Sequence, residues 1–126
     1  MMGDGNYFEP TVLVGVPRTS PVYREELFGP AVGVMPVEGI DEAIALANDS
    51  KYGLGAGVFT RDLGAAMRFA REIQSGNIMI NWTPLWRADL MPYGGLKNSG
   101  IGKEGPRYAV EEMTESKTIV FHGLEG

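Results

Sequence analysis

Short apolar runs alternate with segments of helical periodicity along this chain, and that alternation decides what it can fold into. Ala31 to Val37 and Gly55 to Thr60 are apolar runs bounded by turn residues, and Asn77 to Asn81 reads Asn-Ile-Met-Ile-Asn. Between the first two, Ile40, Ala43, Ile44 and Ala47 recur at three- and four-residue spacing. Asp41 and Glu42 open that segment, where the helix dipole favours anions. Between the second and third runs, Asp62 to Gln74 carries an apolar stripe of Leu63, Ala66, Met67, Ala70 and Ile73, while Arg61, Arg68, Arg71 and Glu72 face away as solvating charges. Gly76 is expected to cap it. Strand, helix, strand, helix, strand with short connections builds right-handed crossovers and parallel pairing. The expected class is therefore α/β: a three-layer, largely parallel open sheet with helices on both faces, itself part of a larger sheet.

The flanks carry further elements. Phe8 to Val16, rich in β-branched residues, predicts a strand ended by Pro17. Ser20-Pro21 offers a cap followed by proline at the first helical position, a short turn of helix through Glu25 that Gly29-Pro30 stops. The continuous apolar run from Ala31 reads as a strand covered on both faces. Trp82 to Gly102 is a loop dense in Gly and Pro, long enough to be a functional candidate on length alone. Pro106 to Met113 predicts a last helix and Lys117 to Phe121 a last strand.

Composition excludes several functions. There is no cysteine and one histidine in 126 residues, so a disulfide framework, a zinc ribbon and a thiol nucleophile are absent from the chain and metal binding is not expected. The net charge of −5 has the wrong sign for neutralising nucleic-acid phosphates or an anionic membrane. No apolar stretch approaches the ~20 residues that a spanning helix needs. Met1-Met2-Gly3-Asp4-Gly5 lacks the basic and apolar regions of a signal peptide, which makes a cytoplasmic setting the expectation. Residues 1–4 and 124–126 read as expression-derived ends. Glycine is the unusual count, 18 of 126, about twice ordinary usage and clustered in loops.

Gly100-Ile101-Gly102-Lys103-Glu104-Gly105 matches the dinucleotide fingerprint letter for letter, but a loop rather than a strand precedes it and too little chain follows. Glycines easing a tight path into the last helix account for it better. Glu25-Glu26-Leu27-Phe28-Gly29-Pro30 sets a carboxylate and an aromatic two positions apart, able to meet a ribose diol and a flat ring. The plainer alternative is an acidic helix face with a core phenylalanine. In the glycine-rich loop, Trp82, Trp86 and Tyr93 beside Arg87 could line a mouth for a small organic anion or simply pack the loop onto the sheet. Glu111-Glu112 reads as a solvated face and His122 as a surface histidine.

At these residues the chain resembles the C-terminal part of the NAD(P)-dependent aldehyde dehydrogenase superfamily. Four blocks carry the likeness in order: Phe8-Glu9-Pro10-Thr11-Val12, Glu25 to Pro30, Tyr52-Gly53-Leu54 through Val58-Phe59-Thr60, and Pro92-Tyr93-Gly94-Gly95-Leu96-Lys97 through Ser99-Gly100 and Lys103-Glu104. The resemblance implies that Glu26 binds the ribose hydroxyls of a nicotinamide cofactor, NAD or NADP, that Phe28 packs beside the nicotinamide and that Leu54 lies close to the same ring. It implies that Tyr93 borders the aldehyde pocket in place of the usual phenylalanine, that Glu104 is a buried carboxylate linked to proton movement, and that Glu115 sits at a subunit interface. Residues 5–113 are then part of a catalytic domain, and 114–123 an oligomerisation strand joining a homo-oligomer. The run Trp86 to Tyr93 and the ending Glu111-Glu112-Met113-Thr114-Glu115 look most like the branch acting on lactaldehyde, glyceraldehyde 3-phosphate or phosphonoacetaldehyde. On that likeness Arg87 is expected to contact the negative group of a small, often anionic aldehyde.

The same resemblance implies an oxidoreductase that converts an aldehyde to a carboxylic acid through a cysteine thiohemiacetal. Its thiolate and base lie outside these residues, so no catalytic residue is assigned here and the chain alone is expected to be inactive. Two alternatives stand beside this: a non-catalytic binding or assembly module that keeps the fold and the interface strand, and an independent nucleotide-binding domain using Glu26 alone. Self-association through unpaired edges is also expected.

Overall fold

The computed structural model describes residues 5–123, so the expected expression-derived ends at 1–4 and 124–126 lie outside the described residues. Two units divide the chain, the first drawing on Met1–Lys51 and Thr60–Ile73, the second on Tyr52–Phe59 and Gln74–Gly126. Both mix helix with parallel strand pairing, the expected α/β class.

In the first unit, β1 (Thr11–Val14) runs parallel to β2 (Ala31–Val34) with Thr11 opposite Ala31 and Val14 opposite Val34. The connection passes through α1 (Pro21–Arg24), where the Ser20 hydroxyl accepts from the Val22 N–H and Pro21 takes the first turn, as the sequence predicts. α2 (Ile40–Asn48) and α3 (Leu63–Glu72) then pack together. Asp62 caps α3 by accepting from the Ala65 N–H. The core is this seam: Ile44 of α2 is buried with Ala66 and Phe69 of α3 and with Ile73 just beyond it.

That seam corrects the stripe read from the sequence. Leu63 and Met67 are exposed and Phe69 is buried, so the buried face is 66, 69 and 73. A phenylalanine removes more apolar area from water than any other side chain on this helix, and its burial sets the helix's rotation. Nor is Arg68 a free solvating charge. It pairs with Glu72 one turn on (Nε to Oε1 2.7 Å) and with Asp41 of α2, and those two carboxylates hold its guanidinium pKa above its ordinary value. Asn48 donates to the Glu72 carbonyl at 2.8 Å, so polar bonds flank the apolar seam. The strand expected to be covered on both faces is not: Val32 and Val34, like Val12 and Val14 beside them, are exposed, because no other described residues of the first unit cover that side of β1 and β2.

In the second unit, β4 (Gly55–Val58) runs parallel to β5 (Asn77–Ile80). Just before β4, β3 (Tyr52–Gly53) pairs antiparallel with β6 (Leu96–Lys97) inside the glycine-rich loop. Helix α4 (Pro106–Met113) closes the unit. Gly105 at its N-cap has φ 124°, a conformation that side chains resist, which is the tight-path role expected for that glycine. Gly76 is not a helix cap. Helix α3 already ends at Ile73, whose N–H bonds the Phe69 carbonyl in an extended conformation. Gly76 instead marks a backbone crossing: its N–H bonds the Gly53 carbonyl at 2.9 Å, and a Cβ there would stand 1.7 Å from the Gly94 carbonyl oxygen. Lys117 to Phe121, expected as a strand, takes no regular structure and pairs with no strand among the described residues, since a lone segment has nothing to satisfy its backbone groups. Ile119, Val120 and Phe121 are exposed. No helix among the described residues is long and apolar enough to cross a membrane.

Gly76→Ala is expected to lower unfolding stability by at least the ~1–3 kcal/mol of an overpacked site, because backbone rather than a flexible side chain must move. Gly29→Ala, with open space at its β position, stays within about 0.5 kcal/mol. Urea unfolding of both checks the pair, and equal midpoints would remove the crossing as a constraint.

The first unit also carries a pH-sensitive contact. The Tyr23 hydroxyl donates to Asp49 Oδ2 at 2.9 Å, and Arg24 Nη1 donates to Asp49 Oδ1 at 3.1 Å. Burial, then the bond to Asp49, pushes the Tyr23 pKa up; the Tyr23 bond, then Arg24, holds Asp49 below the ordinary carboxylate range. A depressed acid stabilises above its unfolded pKa and a raised phenol stabilises below its own. The contact's contribution is therefore full between about pH 4 and 10, lost on the acid side through Asp49 and on the alkaline side through Tyr23. Tyr23→Phe should lower the plateau of urea midpoint against pH and shallow both limbs; limbs identical to the parent's would contradict this.

Candidate functional site

The second unit gathers three of the site residues expected from the sequence. Tyr93 and Glu104 face each other in an antiparallel bridge, with the Tyr93 N–H donating to the Glu104 carbonyl at 3.1 Å and the Glu104 N–H returning to the Tyr93 carbonyl at 2.6 Å. The ten residues between them hold glycines 94, 95, 100 and 102, which let the chain double back this tightly. Arg87 reaches the same place: its Cζ lies 4.5 Å from the centre of the Tyr93 ring, and its Nη1 is 3.0 Å from Glu104 Oε2. A guanidinium stacked on a ring and bonded to a carboxylate is held on two sides, which suits its planar fork.

Beside this cluster lies a cleft of about 250 Å³ whose walls include Leu54, Tyr93, Glu104 and Glu112. Lys103 Nζ donates to the Gly94 carbonyl at 3.0 Å, the Lys103 N–H donates to Glu112 Oε1, and the Gly53 N–H donates to the Ser99 hydroxyl at 2.9 Å. Glu112, expected as a solvated charge, thus helps fix the cleft's floor. A second hollow, of about 310 Å³, is lined by Ile78, Met79, Ile80, Trp82 and Trp86. Asn81, at φ 55°, turns the chain out of β5 toward those tryptophans, a left-handed position that asparagine tolerates.

Glu104 departs from its expected burial. Its side chain is 66% exposed and ion-paired, because this chain covers it only on the side of Arg87 and the Tyr93 bridge. Glu26 and Phe28 belong to the first unit, on the segment between α1 and β2. Phe28 is 93% exposed, so it is not part of this chain's own core. Lys51 engages Glu25, while Glu26 takes part in none of the ion pairs of the described residues. An uncovered ring with a carboxylate two residues away is a donor set that fits a planar heterocycle carrying a diol. Glu115 is exposed in the segment after α4. Sequence reasoning missed the Arg87–Glu104 pair: paired glycines flag a reversal, but not which side chains it brings together.

A family model described as "Aldehyde dehydrogenase family" matches residues 1–119. The chain is 52% identical over 119 residues to the 3-sulfolactaldehyde dehydrogenase of Priestia aryabhattai, covering 94% of this chain and 25% of that protein. It is 46% identical over 112 residues to a lactaldehyde dehydrogenase of Methanococcus maripaludis, covering 89% of this chain and 24% of the relative. The crystal structure of aldehyde dehydrogenase 21 from Physcomitrella patens, in complex with the reaction product succinate, superimposes with a TM-score of 0.88 at 39% identity, covering 94% of this chain and 25% of that one. The chain thus spans about a quarter of the length of the relatives it matches.

Proposed function

The chain belongs to the aldehyde dehydrogenase family, and from that premise we propose that it forms the substrate-side wall of an enzyme that oxidises a small, often anionic aldehyde to a carboxylic acid with NAD or NADP. The observation that carries this reading is the stack of Arg87 on Tyr93, a ring that lines the cleft in the second unit: one fixed cation on an aromatic wall suits an aldehyde bearing a carboxylate, sulfonate or phosphate. A relative named for 3-sulfolactaldehyde and a structural neighbour holding succinate as its product are consistent with it.

In this reading Arg87 binds and orients the substrate's negative group, and Tyr93 borders the reacting carbon and keeps water from it. Glu26 accepts hydrogen bonds from a ribose diol, Phe28 offers its open face to the nicotinamide, and Leu54 serves as a further cofactor-binding side chain. When bound, the nicotinamide supplies the hydride acceptor. The nucleophilic cysteine and its base belong to sequence outside these residues, which contain no cysteine. Residues 5–113 are proposed as part of the catalytic domain and 114–123 as the segment that pairs with a second subunit, with Glu115 at that interface. The exposed Ile119, Val120 and Phe121 support the latter.

Two measurements test the reading. The purified 126-residue chain is expected to form no NADH or NADPH from any short aldehyde, and turnover without an added complementing fragment would refute it. In the complete dehydrogenase, Arg87→Ala should lower kcat/KM for an anionic aldehyde about 10- to 100-fold relative to a neutral one of equal length, the size of a lost charge-assisted hydrogen bond. An unchanged ratio removes the anion-binding role.

A further inference from the structure

We propose that Glu104 is a specificity-determining residue: its carboxylate occupies Arg87 where the substrate's anion would bind, and so sets how strongly the site prefers anionic over neutral aldehydes. This rests on reading Arg87 as the anion's partner and adds the group against which the anion must compete.

The main chain dictates the placement. Because Tyr93 and Glu104 exchange both backbone hydrogen bonds, the Glu104 side chain leaves the chain opposite the Tyr93 ring at a fixed separation. Arg87 then meets the ring at 4.5 Å and the carboxylate at 3.0 Å. Among the described ion pairs Arg87 meets no acid other than Glu104; Glu111 pairs with Arg107 within α4 and Glu112 accepts from the Lys103 N–H. Lys103, the cation adjacent in sequence to Glu104, is committed to the Gly94 carbonyl.

The pair is also exchangeable. Nothing within this chain buries the pair, whose side chains are 41% and 66% exposed, so the chain itself does not lock Glu104 onto Arg87. Arg87 Nη1 lies 3.0 Å from Glu104 Oε2, and the guanidinium fork is of the kind that takes an incoming carboxylate with two parallel bonds. An incoming anion meets a cation that is already half-neutralised and a neighbouring like charge, both of which weaken its binding. A neutral aldehyde meets neither penalty. Removing the Glu104 charge therefore strengthens anion binding selectively, and only through Arg87.

The test is a double-mutant cycle in the complete dehydrogenase, with succinic semialdehyde as the anionic probe and butanal as the neutral one. Glu104→Gln keeps the size and the main-chain bridge. It is expected to raise the anionic-to-neutral ratio of kcat/KM about two- to fivefold, carried by a lower KM for succinic semialdehyde. Glu104→Asp should leave that ratio near the parent value. In the Arg87→Ala background the Gln substitution should leave the ratio unchanged. Any general effect of position 104 on kcat cancels because it falls on both substrates. If Glu104→Gln shifts both substrates equally, or raises the ratio as much without Arg87 as with it, the inference fails. If Arg87→Ala alone leaves the ratio unmoved, the underlying reading of Arg87 fails instead.

Discussion

Where Gly76 passes the Gly94 carbonyl the two backbones come so close that Gly76 has no room for a β-carbon, and much of the second unit is tied to that crossing. The Gly76 N–H bonds the Gly53 carbonyl, which fixes β3 beside the entry to β5. Gly94 in turn lies against the Gly102 carbonyl, so the start and the return of the long loop are stacked on the same crossing. Tyr93 precedes the first of these contacts and Glu104 follows the last by two residues. Their bridge is thus a consequence of a close approach made where side chains are missing.

This explains how the site can be ordered although it lies on a loop and is partly exposed. Among the described residues the buried hydrophobic ones, Ile44, Ala66, Phe69 and Ile73, lie in the first unit. The second relies on main-chain hydrogen bonds and on the tight backbone contacts that hold them in register. Such a unit has little to lose from changing an exposed side chain and much to lose from a methyl group at a glycine. The charged groups over it, Arg87 and Glu104, are fixed by where the backbone puts them more than by burial.

The elements with strong periodicity or clear end signals were legible before the structure. The Ser20-Pro21 start, the helices over 40–48 and 63–72, the helix over 106–113 and the β4–β5 pair follow from spacing and caps. What was not legible depended on contacts between distant residues. The rotation of α3 differs because the stripe was drawn by three- and four-residue spacing from Leu63, which leaves Phe69 out, whereas the packed helix buries Phe69 and exposes Leu63. Gly76 was assigned to a helix end because it follows one closely. Its actual reason lies 18 positions away at Gly94. The candidate site was half visible: the aromatics, Arg87 and Glu104 were each singled out, but not the meeting of Glu104 with Arg87, since the ten residues from Gly94 to Lys103 conceal the pairing.

The Tyr93–Glu104 bridge is made by peptide groups, so it does not depend on which side chains stand at either end. A lineage carrying this frame can exchange the ring at 93, the carboxylate at 104 or the cation at 87 one at a time while the loop keeps its course. Each change redraws the charge and width of the opening without asking the polypeptide to fold anew. The frame therefore works as a fixed mount with interchangeable parts, open to gradual evolutionary retuning of the charge and shape it presents.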